Sequence, residues 1–93
     1  MDNAEAAALL KGHLATYRRR PYGELLMIRG KPQVTELLGD SGGRYQVEVE
    51  VFWDDRPGGA LRVRGSIDDG GWRAIKPLCD DFILSPDGRF VGE

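Results

Sequence analysis

Two residue types that build sites are nearly missing. The chain has one cysteine, Cys79, and one histidine, His13. A single cysteine excludes an internal disulfide framework and leaves a cysteine-rich zinc site without ligands. Charge of one sign is lacking too, since 13 Lys and Arg stand against 15 Asp and Glu, a net charge of −2. That balance supplies no general drive toward nucleic acid or an anionic membrane, so neither is expected as a partner. No apolar run approaches the roughly 20 residues that span a bilayer. The opening MDNAEAAALLKGHLATYRRR is acidic first and basic last, the reverse of a secretory leader, and Lys11, Gly12 and His13 interrupt it. A cytoplasmic protein is the expectation. Repeats, linkers and low-complexity stretches are also missing, and the chain reads as one domain, 1–93.

What is present begins with a helix. Asp2 followed by Glu5 resembles a capping box, and Ala7, Leu10, Leu14 and Tyr17 fall on one helical stripe. Gly12 lies mid-helix at a cost of about 1 kcal/mol against alanine, which predicts either a weak turn or a close-packed neighbour. Arg18, Arg19 and Arg20 suit the negative end of the helix dipole, with an anion site as the alternative, and Pro21 stops the helix. PYGELLMIRG fits a short second helix ending at Gly30, although a buried strand has the same apolar content.

From residue 32 the period becomes two. PQVTELLG reads as a first strand and GDSGG as a turn. In RYQVEVEVFWDD, Tyr45, Val47, Val49, Val51 and Trp53 share one face, with Glu48, Glu50 and Phe52 on the other. ALRVRGSIDD repeats the alternation, Leu61, Val63 and Ile67 against Arg62, Arg64 and Ser66. Closed as an antiparallel hairpin, these strands set Val51 opposite Val63 and Trp53 opposite Leu61. The other face then pairs Glu50 with Arg64 and Phe52 with Arg62, attractions worth about 0.2–1 kcal/mol each. A tight Asp-Gly turn at 69–71 leads into a fourth strand, WRAIKPL, whose facing is ambiguous. FIL-SPDG-RFV closes the chain as a small hairpin with Gly88 at its left-handed exit.

The chemistry-bearing residues are sparse. Asp54-Asp55, Asp68-Asp69 and Asp80-Asp81 each sit where a strand is expected to end, with the first and third pairs at one end of the sheet. Calcium-loop spacing is missing and aspartate caps turns, so the pairs are read as punctuation rather than a metal site. Nothing in the sequence brings His13 to Cys79, so no thiolate–imidazole pair is assigned. No catalytic residue, metal or cofactor is expected. His13, Tyr17, Tyr45, Trp53 and Trp72 are either core or the lining of an aromatic pocket between helix and sheet. Glu48, Glu50, Phe52, Arg62 and Arg64 form the candidate interaction face, its charges largely self-neutralised.

The fold expected is α+β: an opening helix, or two, on one face of a four- to five-stranded antiparallel meander. The layout resembles the cystatin-like architecture and, in shortened form, the NTF2-like domains. It carries no motif: Gln33-Val34-Thr35-Glu36-Leu37 lacks the glycine of the cystatin Gln-x-Val-x-Gly hairpin, so protease inhibition is not carried over. The leading functional expectation is a non-enzymatic domain that binds another protein or itself as a homodimer. The alternative is a small-molecule-binding domain with the aromatic pocket.

Overall fold

The computed structural model describes residues 1–71 and 77–93. Helix α1 spans Asn3–Arg18, and the Asp2 carboxylate accepts from the Glu5 amide at 3.0 Å. One of the unpaired amides at the helix start is thereby satisfied. The buried stripe is Ala6, Leu10, Leu14 and Tyr17. It begins at Ala6, not Ala7, because a spacing of four from Leu10 keeps the stripe on the sheet side and Ala7 is exposed. Gly12 is exposed with nothing close to its missing side chain, so no neighbour explains it.

Helix α2, Tyr22–Met27, follows Pro21, whose φ of −69° already suits a helix start. It buries Leu25, and the Tyr22 hydroxyl donates to the Gly59 carbonyl at 2.6 Å. Gly30, at φ 77°, then turns the chain and donates its amide to the Val51 carbonyl at 3.1 Å.

The sheet consists of β1 (Gln33–Leu38), β2 (Arg44–Trp53), β3 (Leu61–Asp68) and β4 (Leu78–Leu84), neighbours in that order and antiparallel throughout. Between β2 and β3 the register is the expected one, with Val51 opposite Val63, Trp53 opposite Leu61, Glu50 opposite Arg64 and Phe52 opposite Arg62. Tyr45, Val47, Val49, Val51, Leu61, Val63 and Ile67 are all buried on the face toward α1. Trp53, at the end of that row, is half-buried.

One expectation at the fourth strand is corrected. The described pairing of the fourth strand with β3 runs from Leu78, opposite Ile67, to Leu84, opposite Leu61. Asp68 and Asp69 cap the amides of Gly70 and Gly71, and Gly70 takes φ 81°. Most of the expected strand from Trp72 to Leu78 lies outside the described residues. Asp80-Asp81 is not punctuation, because both residues sit inside β4. Last in the strand order, β4 leaves both carboxylates exposed, and Asp80 accepts from the Asp81 amide at 2.8 Å. The closing turn is as expected, with Gly88 at φ 88° and Phe90 bridged to Leu84.

Helix α1 lies across β3 and β4, and its seat is Gly65. A Cβ there would lie 2.8 Å from Leu10 Cδ1 and 3.0 Å from Leu14 Cδ2. The two glycines should therefore respond in opposite directions. Gly12→Ala is expected to stabilise the chain by about 1 kcal/mol, since it restores helix propensity in open space. Gly65→Val is expected to destabilise it by about 1–3 kcal/mol through overpacking. Urea melts of the two variants check the pair; a tolerated valine at 65 contradicts the seat.

Candidate interaction face

The inward parity of the sheet dictates what points the other way. On the outer face β1 places Val34, Glu36 and Leu38; β2 places Arg44, Gln46, Glu48, Glu50 and Phe52. β3 adds Arg62, Arg64, Ser66 and Asp68, and β4 adds Cys79, Asp81 and Ile83. Read across the strands, one row runs Val34, Glu48, Ser66, Cys79. The next runs Glu50, Arg64, Asp81, and the third Phe52, Arg62, Ile83.

The two arginines of β3 have different fates. Arg62 is gripped by Asp54 at 2.8 Å and Asp81 at 2.6 Å, which hydrogen-bond it and raise its pKa further. This joins the first and third acidic pairs, although the third lies in mid-sheet, with Asp81 opposite Arg64, and not at the Asp54 end as expected. Two carboxylates on one guanidinium also explain why the expected stacking of Arg62 on Phe52 is not found among the described residues. An exposed cation–π contact gives about 0.5–1 kcal/mol, less than a doubly hydrogen-bonded ion pair offers the same side chain.

Arg64 sits directly across from Glu50, yet it makes no ion pair, and every carboxylate of the chain is among the described residues. The Glu50 carboxyl instead approaches its same-face neighbour on β2. A hydrogen bond with Glu50, then burial, raises the Glu48 pKa above 4.5. The expected Glu50–Arg64 attraction is thus correct in register and unformed in contact.

Two hollows flank Phe52. One, of about 570 Å³, is lined by Phe52, Arg62, Arg64, Cys79, Asp80 and Asp81. The other, of about 360 Å³, lies where β1 stops short of Val51 and is lined by Lys31, Pro32, Glu50, Phe52 and Arg64 among others. Phe52 and Arg64 line both and form the ridge between them. Lys31, Cys79 and Asp81 belong to this surface but escape a reading of the β2–β3 hairpin alone, since they come from neighbouring elements. The exposed Val34 and Leu38, 56% and 68% accessible, extend it along β1.

The aromatic candidates are placed differently. Tyr17 and Tyr45 are core residues, 4% and 5% accessible. The Tyr45 hydroxyl donates to Glu5 Oε1 at 2.8 Å, and the same carboxylate accepts from the Ser41 amide and hydroxyl. Trp53 carries the Arg29 guanidinium 5.0 Å from its ring centre. Trp72 lies outside the described residues. His13, half-buried on α1, meets Tyr17 edge-on at 5.6 Å, and its Nε2 is buried without a hydrogen-bond partner among the described residues. Cys79 lies on the face away from α1, so His13 and Cys79 are not brought together. Of the arginine run, Arg18 forms a bidentate pair with Glu93 between the rings of Phe82 and Phe90, and Arg20 stacks on Tyr17. No family model, curated protein or solved structure matches the chain.

Two titrations follow. The Glu5 hydrogen bond, then burial, pushes the Tyr45 pKa up to about 12 from 10.0. This interaction stabilises the fold below the ordinary tyrosine value and is lost as pH rises through about 12. Tyr45→Phe should lower the melting temperature at neutral pH and flatten the alkaline decline; an unchanged melt at neutral pH contradicts the clamp. Burial, then the Arg20 charge, holds His13 below 6.5. Stability from the neutral ring is present above 6.5 and lost as pH falls through the folded value. His13→Gln should flatten the melting temperature between about pH 7 and 5, and an identical slope in both proteins would refute it.

Proposed function

We propose that the chain is a non-enzymatic interaction domain that offers the outer face of its sheet to a protein. A bare face is common in antiparallel sheets, so bareness alone decides nothing. The observation that carries the reading is the Phe52–Arg64 ridge between two hollows. There an aromatic ring and a cation without a carboxylate partner stand together, the residue types that dominate protein interfaces. Val34 and Leu38 enlarge the apolar part of the patch. A helix over an antiparallel meander is the coarse layout on which a cystatin-like resemblance rests, and that layout by itself fixes neither function nor target.

The alternative, a small-molecule pocket between helix and sheet, finds less support. Tyr17 and Tyr45 are packed into the core rather than lining a cleft, and the hollows around Phe52 open on the opposite side of the sheet.

The reading is tested by amide spectra of dilute, isotope-labelled protein in concentrated unlabelled cell extract. Signals of Glu48, Phe52, Arg62 and Arg64 should broaden selectively, and Phe52→Asp should abolish the effect while leaving the fold intact. Broadening spread evenly over the chain, or indifferent to Phe52→Asp, sinks the proposal.

A further inference from the structure

The pattern of charge on the outer face identifies an occupant. We propose that it is a second copy of this chain, seated face to face about a two-fold axis running along the β2–β3 junction. This rests on the reading of the outer face as an interaction surface.

A two-fold axis makes an interface of one patch used twice, so residue i meets j and j meets i. With the axis parallel to the strands, β2 of one copy lies over β3 of the other at the same height. Glu50 then falls over the second copy's Arg64, because the two are already cross-strand partners within one sheet. Phe52 falls over the second copy's Arg62, at the wall of the hollow of about 570 Å³, which has room for the ring. At the far end of the strands Glu48 falls over the second copy's Ser66 and Asp68 over its Gln46, so each carboxylate there faces a neutral hydrogen-bond donor rather than a like charge. At the margin, Cys79 falls over the second copy's Val34, the two residues at opposite ends of one row.

The arrangement answers two features unmet in a single copy. Arg64 gains a carboxylate, and Glu50 gains a cation that separates it from Glu48. Four strands about 4.8 Å apart and about eight residues long present roughly 500 Å² each, so about 1,000 Å² is covered in total, the low end for specific association. A weak, salt-sensitive dimer follows.

Sedimentation and light scattering of the full chain, from micromolar to millimolar concentration at low and high salt, read the outcome. The wild type should dimerise with concentration and dissociate with salt. Glu50→Arg and Arg64→Glu should each weaken the dimer at least tenfold, because each sets like charges face to face. An equimolar mixture of the two variants should recover dimerisation, since each cation then meets a carboxylate at both contacts. In a Val34→Cys variant, a short bis-maleimide should give covalent dimer through Cys79, which the wild type does not. A wild type monomeric throughout, single variants that dimerise normally, or a mixture no better than its components overturns the dimer. If the wild type stays monomeric while extract still broadens the face selectively, the second copy is excluded and the interaction reading stands. A dimer indifferent to Glu50, Arg64 and Val34 uses another surface and refutes the proposal.

Discussion

Helix α1 sits close to the sheet because β3 carries a glycine where the helix crosses it. Leu10 and Leu14 rest on Gly65, and any larger side chain there would lift them away. That approach keeps Val47, Val49, Val63 and Ile67 fully buried. Each such side chain contributes about 1.5–3 kcal/mol by leaving water, so the seat governs most of the apolar energy of the domain. It also fixes parity. A one-residue slip of β2 would turn Glu48 and Glu50 into the core and the valine row into solvent.

With the inner face settled, the outer face is determined as well, although the energies on it are an order smaller. An exposed ion pair adds about 0.2–1 kcal/mol, so the Arg62 network with Asp54 and Asp81 shapes the surface more than it stabilises the fold. Its effect is to hold one guanidinium beside Phe52 while Arg64, two residues away, pairs with no carboxylate. The glutamates of β2 crowd each other for the same reason: no cation of the described residues is in contact with them.

Sequence reasoning reached the features in which local pattern and local turn agree. The Val51–Val63 and Trp53–Leu61 register, the Asp2 cap, the short helix at 22–27 and the Gly88 turn are of this kind. It failed where the deciding neighbour is remote in sequence. Asp80-Asp81 reads as a strand end because aspartate disfavours strands, but at the last strand of a sheet its carboxylates reach solvent and Arg62. Gly12 and Gly65 are indistinguishable by composition; the helix crossing alone separates an idle glycine from a required one. Register gave the Glu50–Arg64 adjacency but not the rotamers, so contact did not follow from it. Glu5 looks like half of a capping box, and its carboxylate is spent instead on Ser41 and Tyr45, far along the chain. The candidate face was legible as five residues, and its hollows were not, since they also need Lys31, Cys79 and Asp81 from other elements.

A net charge of −2 conceals the property that matters most on this surface. Composition sums over position, whereas recognition depends on how sign changes from strand to strand. Here β2 carries Glu48 and Glu50, β3 carries Arg62 and Arg64, and Glu50 and Arg64 share one row. The acidic residues of the central rows thus lie on one side of the line between the strands and the basic ones on the other. A surface of that kind is poorly matched to a uniformly charged target, because each attraction is offset by a neighbouring repulsion. It is better matched to its own image turned over, where Glu50 meets Arg64 at two equivalent contacts and Glu48 and Asp68 meet the neutral donors Ser66 and Gln46. Near-neutrality in a meander with strand-segregated charge is therefore not electrostatic indifference; it is the ground on which the proposed self-association rests.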